Sequence, residues 1–239
     1  MPRSFFRLAA LFSLVGCLPS PAEPVATPSK PATATASSDK PEPLPEDAPK
    51  IELEEGFELI GFDAFDQFSA KDPGQTIVWE AAGNGFNCYG KPRGYLYSKA
   101  SYANFTLKVD YRFRRPADLA SDAEFKGNTG VMIFINGEHK QWPVSLEVQG
   151  KYSEMATIKA NGGAANVEIE DNADARTTAR KPVGEWNSLE VVARDGALTA
   201  SINGTKVCES KAGELKEGLL GFQAEDFEVQ FRNIRVRRD

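Results

Sequence analysis

The chain has 239 residues, 28 basic and 34 acidic side chains, a net charge of -6 and 41% apolar residues. That is enough apolar material for one globular domain of ordinary size with extensions. The acidic balance, with Lys and Arg scattered rather than gathered in a patch, excludes a nucleic-acid binder that works by neutralising phosphate.

Residues 1–17 come first in chain order. Arg3 and Arg7 precede an apolar stretch from Leu8 to Val15, followed by Gly16 and Cys17. So short a stretch cannot cross a hydrocarbon layer roughly 30 Å thick, and it reads as an export signal rather than a permanent membrane helix. Its end, Leu14-Val15-Gly16-Cys17, resembles the bacterial lipobox. That resemblance implies acylation of Cys17 and a lipid anchor in the cell envelope. With Leu18 and not Asp after the cysteine, it favours the outer membrane. An ordinary secretory signal that happens to contain a cysteine is the alternative. Residues 18–50 hold nine prolines and no aromatic residue. Such a segment cannot bury enough apolar surface to offset chain entropy, so a disordered linker is expected.

Residues 51–239 carry all the tyrosines and tryptophans and should fold. Strands are expected at Gly94 to Lys99 and then at Asn104 to Arg114, where Phe105, Leu107, Val109, Tyr111 and Phe113 alternate with polar residues. Others are expected at Gly130 to Asn136, Pro143 to Gln149, Met155 to Ala160 and Val167 to Glu170. Leu189 to Arg194, Leu198 to Asn203 and Thr205 to Glu209 are separated by Asp195-Gly196 and Asn203-Gly204. Those dipeptides accept the positive φ angles of tight hairpins and predict a three-stranded meander. Gly218 to Gln223 and Phe227 to Val236 complete the set. In the last, Phe227, Val229 and Phe231 are out of phase with Ile234 and Val236, so a bulge near Arg232-Asn233 is expected. Many short strands, glycine-rich turns and no long amphipathic helix predict an all-β, two-sheet antiparallel sandwich.

Several segments also carry a family likeness. They are Gly94-Tyr95-Leu96-Tyr97-Ser98 with Tyr102 to Phe113, Gly127-Asn128-Thr129-Gly130-Val131, Leu146-Glu147-Val148-Gln149, Lys181-Pro182-Val183-Gly184-Glu185-Trp186-Asn187, Gly221-Phe222-Gln223, and Phe231-Arg232-Asn233-Ile234-Arg235. In this order they resemble the motifs of the 3-keto-disaccharide hydrolase domain family. The resemblance implies a concanavalin-like jelly roll, a carbohydrate partner, and cleavage of glycosides oxidised to a ketone at carbon 3. The ketone acidifies the proton on carbon 2; a base removes it, the enolate expels the group on carbon 1, and water adds later. Such a site needs a general base and donors that stabilise the enolate oxygen. No cofactor is implied.

Glu147 is the expected base. Val144, Leu146 and Val148 face inward by alternation, which puts Ser145, Glu147 and Gln149 on the opposite face. The bland alternative is the solvated side of an antiparallel strand. Gln149, Gln223, Asn128 and Trp142 are the expected substrate contacts. Asn128 also reads as a turn residue, and Trp142, beside Pro143, reads equally as edge packing. Trp79 and Trp186 are expected in the core. After Gln223 the chain continues Ala224-Glu225-Asp226, where the family usually carries a His or Gly nearby. A histidine contribution at that point is therefore missing. Glu225 and Asp226 are candidate proton carriers, or simply a polar turn.

His139 is the one histidine and falls in a loop, where solvent exposure is usual. A zinc site is disfavoured, since paired-cysteine spacing is also missing. Glu168, Glu170, Asp171 and Asp174 offer oxygen ligands of the kind a divalent cation such as calcium takes, but their spacing fits no known loop and reads more simply as a charged face. Cys88 and Cys208 either pair or act as small buried hydrophobes. The rival to the enzyme is a non-catalytic carbohydrate-binding or adhesion module, because fold does not fix activity.

Overall fold

The computed structural model describes residues 51–239; the export signal with Cys17 and the proline-rich segment lie outside the described residues. The strands are β1 Glu58–Leu59, β2 Phe65–Ser69, β3 Trp79–Ala82, β4 Gly85–Cys88, β5 Gly94–Tyr102, β6 Phe105–Phe113, β7 Gly130–Asn136, β8 Val144–Gln149, β9 Ile158–Asn161, β10 Ile169–Asp171, β11 Asn187–Arg194, β12 Ala197–Ile202, β13 Thr205–Ser210, β14 Gly218–Ala224 and β15 Val229–Arg238. One short helix, α1, spans Ala173–Ala179. All strand pairs are antiparallel and fall into two sheets. Six strands run β2-β5-β14-β7-β8-β9; the others run β10-β13-β12-β11-β6-β15-β4-β3, with β1 also on β15. The domain is a two-sheet sandwich of jelly-roll type.

The alternation of β6 behaves as its sequence demands: Phe105, Leu107, Val109, Tyr111 and Phe113 are all buried. The two hairpins of the β11-β12-β13 meander turn at Asp195-Gly196 (φ 50° and 91°) and Asn203-Gly204 (φ 49° and 83°), the left-handed pairs those dipeptides allow. In β15 the register shifts between Arg232 and Arg235, with Asn233 at φ 54°, so Phe231, Ile234 and Val236 all reach the core. The sheets meet through aromatic rings. Phe86 of β4 stands edge-on to Phe222 of β14 at 5.3 Å and to Phe65 of β2 at 5.8 Å. Each such pair contributes about 0.5–1.5 kcal/mol beyond its buried area.

Several expectations need correction. The strands β1 to β4 carry no alternation strong enough to announce them; all four residues of β4 are buried. β9 begins at Ile158 and not at Met155, because a 3-10 turn occupies Tyr152–Glu154 and Ala156 sits at φ 67°. β10 begins at Ile169, two residues later than expected. Trp79 is buried as expected, but Trp186 is half-buried, with the guanidinium groups of Arg112 and Arg232 over its ring at 4.7 and 3.9 Å. Cys88 and Cys208 are both free and buried, and burial pushes the Cys88 thiol up to about 12. No helix among the described residues is long and apolar enough to cross a membrane.

Candidate functional site

The six-stranded sheet turns Leu146 and Val148 of β8 into the core shared with the other sheet. Ser145, Glu147 and Gln149 therefore stand on its outer face, as alternation requires. Pairing registers assemble that face in rows. One row runs Lys159, Glu147, Met132, Gly221, Tyr97 across β9, β8, β7, β14 and β5. The next carries Gln149, Gly130, Gln223, Tyr95 and Phe68. Gly130 is what lets the polar groups converge: a Cβ there would lie 2.4 Å from Gln223 Oε1 and 2.6 Å from Glu147 Oε1. Both side chains thus lean over the same glycine.

Glu147 is only 3% exposed, yet it is a carboxylate. Its oxygens are held by Lys159 Nζ at 3.4 Å and by the Asn161 amide, which donates at 3.1 Å; the Gln223 side chain also bonds to it. Burial penalises the charged form, and it outweighs the opposing pull of Lys159 and of the Gln223 bond, so Glu147 titrates above the usual carboxylate range. A second carboxylate completes the cluster. Glu225, just past the end of β14, accepts a hydrogen bond from the Asn128 amide. Burial first and the charge of Glu147 second raise it to about 7. Two amide oxygens in the cluster, Gln223 Oε1 and Asn128 Oδ1, are buried with no hydrogen-bond partner. Unpaired buried acceptors are costly and mark places where a ligand hydroxyl would fit. The arrangement can therefore hold one base and one acid whose proton affinities differ, beside a cation and open acceptors.

Glu147, Gln223 and Asn128 thus converge, Asn128 through Glu225. Gln149 shares the face, but its Oε1 accepts from the Lys151 backbone N–H at 2.9 Å and so caps the turn after β8. Trp142 is half-buried in the 137–143 loop, joined to the Glu147 cluster by no hydrogen bond or ring contact among the described residues. His139, from the same loop, is half-buried, not solvated: its Nδ1 lies 2.8 Å from the Tyr95 hydroxyl and its ring stacks on Tyr97 at 4.1 Å. Lys159 and Asn161 escaped sequence reasoning. The alternation Ile158-Lys159-Ala160-Asn161 puts them on one face, but only the pairing of β9 with β8 says which.

No three His, Cys, Asp or Glu side chains among the described residues group as a cation site. Of the acidic residues considered for calcium, Asp171 pairs with Arg176 and Glu168 with Lys211. Cavities of about 510 Å³, beside Asp171 and Lys206, and about 430 Å³, beside Phe62 and Asn84, lie along the nine-stranded sheet, away from Glu147.

The fold has solved relatives. A provisionally assigned glycosyl hydrolase from Parabacteroides distasonis ATCC 8503 superposes with a TM-score of 0.55 at 19% identity, over 77% of this chain and 94% of its own. The carbohydrate binding module CBM66 from Bacillus subtilis superposes with a TM-score of 0.51 at 13% identity, over 73% and 95%. At these identities the likeness shows the shared sandwich alone. No curated protein matches the chain in sequence. The model of the 3-keto-alpha-glucoside-1,2-lyase-like domain matches residues 52–237, nearly all of the folded region. The chain belongs to that domain family.

Proposed function

We propose that the outer face of the six-stranded sheet is the active site of an enzyme that cleaves 3-keto-glycosides by base-assisted elimination followed by hydration. The observation that carries this reading is a buried carboxylate, Glu147, held by Lys159, Asn161 and Gln223 beside a second carboxylate of raised proton affinity. Ionised Glu147 takes the proton from carbon 2. The electron pair moves into the bond to carbon 3 and charges the ketone oxygen, where the Lys159 ammonium offers stabilisation. The enolate then collapses, restoring the ketone, turning the single bond between carbons 1 and 2 into a double bond, and releasing the group on carbon 1 as its bond to oxygen breaks. Protonated Glu225 supplies the proton that the departing oxygen takes up, standing where the family usually places a histidine or glycine. Water adds to carbon 1 and a proton returns to carbon 2, so the net reaction is hydrolysis. Gln223 Oε1 and Asn128 Oδ1 accept hydrogen bonds from sugar hydroxyls.

The test is incubation of the purified full chain with 3-keto-glucosides and measurement of the released alcohol, beside the Glu147→Gln variant. Turnover that disappears in the variant supports the reading. Sugar binding without turnover in the wild type replaces it with the second one, a carbohydrate-binding module, which the sandwich shared with CBM66 favours. The lipobox motif supports a location in the cell envelope through an acylated Cys17. A Cys17→Ser variant would then leave the membrane pellet for the soluble fraction, and unchanged sedimentation would remove the anchor.

A further inference from the structure

Past the end of β14 the chain makes the turn that carries Glu225, and the 89–93 loop is built against that turn. The ladder between β5 and β14 ends with Gly94 opposite Ala224, so one further step puts Arg93 level with Glu225. The register with β7, continued in the same way, brings Asn128 level on the other side, and its amide bonds to the Glu225 carboxylate. Directly after Glu225 the chain leaves the extended conformation: Asp226 stands at φ 70°, a value few side chains adopt. The 89–93 loop holds it there. The Asp226 backbone N–H donates to Gly90 O at 2.9 Å, and its carboxylate accepts from Arg93 Nε at 2.8 Å. The Gly90 backbone presses so closely that a Cβ there would lie 2.6 Å from Phe227 N. Arg93 is itself anchored, since its carbonyl accepts from the Ala70 N–H at 2.8 Å.

We infer that Arg93 is the positioning residue of the acid: by gripping Asp226 it fixes the turn that holds Glu225 against Asn128, and it sets a cation beside that carboxyl. This rests on the reading of Glu225 as the acid. An ion pair whose side chains are 50% and 31% exposed contributes little to folding, so stability does not account for a brace on a turn of unusual conformation. The charges that act on Glu225 come from several elements and oppose one another. Glu147 of β8 and Asp226 of its own turn favour the protonated carboxyl, while Lys159 of β9 and Arg93 favour the ionised one. An acid has to yield its proton as well as hold it. Burial and Glu147 retain the proton, and the two cations bring its release within reach near neutral pH. Asp226, held low by Arg93, stays ionised there and keeps its grip. Arg93 thus acts through Glu225 and needs no contact with the sugar.

Comparing the two halves of the pair separates charge from mechanical bracing. Arg93→Gln removes a cation near Glu225, so the basic limb of the kcat/KM profile for methyl 3-keto-α-glucoside, which reports the acid of the free enzyme, should move up by about half a pH unit. Asp226→Asn removes an anion and frees the guanidinium from its partner, so the limb should move down by about as much. Arg93→Lys keeps the charge without the planar fork; the limb should stay in place while kcat falls several-fold and KM hardly changes. Because the pair is exposed, all three variants should melt close to the wild type, which guards against a folding defect. A readout without turnover comes from the full-length protein labelled with carbon-13 at the glutamate carboxyl carbons. The signal that Glu225→Gln removes belongs to Glu225, and its titration should show the same two opposite shifts. Shifts of one sign in both variants, or none, overturn the inference, since a purely mechanical brace fails alike whichever half is cut. If the carboxyl signal moves in opposite directions but the wild type releases no alcohol from the glycoside at any pH, the reading of Glu225 as the acid fails and the hold of Arg93 on it stands.

Discussion

The two sheets present outer faces written in the same alternating code, and they come to opposite ends. On the nine-stranded sheet the outward residues of β6 and β11 are ionic and matched: Lys108 bonds to Glu54 at 3.1 Å and Glu190 at 3.2 Å, and Arg235 bonds to Glu54 at 2.8 Å. Arg235 holds the Glu54 carboxyl down to about 2, and the group stays ionised in water. This is the ordinary wet side of an antiparallel sheet. On the six-stranded sheet Ser145, Glu147 and Gln149 of β8 and Gln223 of β14 are polar but buried, and Glu147 and Glu225 titrate high. Pairing with solvent-exposed charge makes a surface; burial beside too few partners makes a site.

The largest expected effect separates the faces directly. Glu147→Gln should lower kcat/KM on a 3-keto-glycoside on the order of 10³-fold, the range of a positioned general base, while thermal stability holds or rises because a buried charge is gone. Glu190→Gln on the other face should change neither activity nor stability measurably. A Glu190 variant as inactive as the Glu147 variant would erase the distinction. The inner face of the same sheet behaves oppositely again: Phe222→Ala, removing a fully buried ring at the junction of the sheets, should cost about 3–5 kcal/mol in urea unfolding. A loss below 1 kcal/mol would show that the aromatic junction does not hold the sheets together.

How much of this was legible follows from the same comparison. Alternation alone placed Glu147 and Gln149 opposite the core and, through its change of phase, the β15 bulge, while the Asp-Gly and Asn-Gly turns came from local backbone chemistry. What alternation could not reveal is whether an outward face is covered. Ser145-Leu146-Glu147-Val148 and Ser188-Leu189-Glu190-Val191 have the same pattern, yet Glu147 is 3% exposed and the Glu190 side chain 40%. The difference comes from long-range register: β9 sets Lys159 and Asn161 against Glu147, and β14 sets Gln223 over Gly130. Glu225 was visible as a polar residue after Gln223, but only its burial in the fold, with the charge of Glu147 second, gives it a proton affinity suited to an acid. Strands without alternation, such as β4, were invisible because both their faces are buried.

A smaller effect tests the cation. Lys159 is half-exposed and pulls both Glu147 and Glu225 toward ionisation. Lys159→Met should therefore move the acidic limb of the pH–rate profile upward by about one unit, the low end for an opposite charge at this range. A limb left in place would mean that the ammonium does not act on the base.

The smallest effect is on stability and follows from linkage. Glu225 titrates at about 7 in the folded protein against an ordinary value of 4.5, and Glu147 is raised in the same sense. Between those values the unfolded chain has already released its protons while the folded chain retains them. The unfolded state thus binds fewer protons, and stability must fall as pH rises through this window and level off above it. The groups lowered by ion pairs, Glu54, Asp122 and Asp226, act only at more acidic pH, where their stabilisation is lost as pH falls through their folded values. The melting temperature should accordingly decline by a few degrees from pH 5 to pH 8, the scale set by roughly 1 kcal/mol in a domain of this size. Glu225→Gln should shrink that decline, and the Glu147→Gln, Glu225→Gln pair should nearly flatten it, because Glu54, Asp122 and Asp226, held low by their partners, lose their protons only at more acidic pH. If the double variant keeps the full slope, the proton-linked groups are elsewhere, and the buried outer face is no different electrostatically from the wet one.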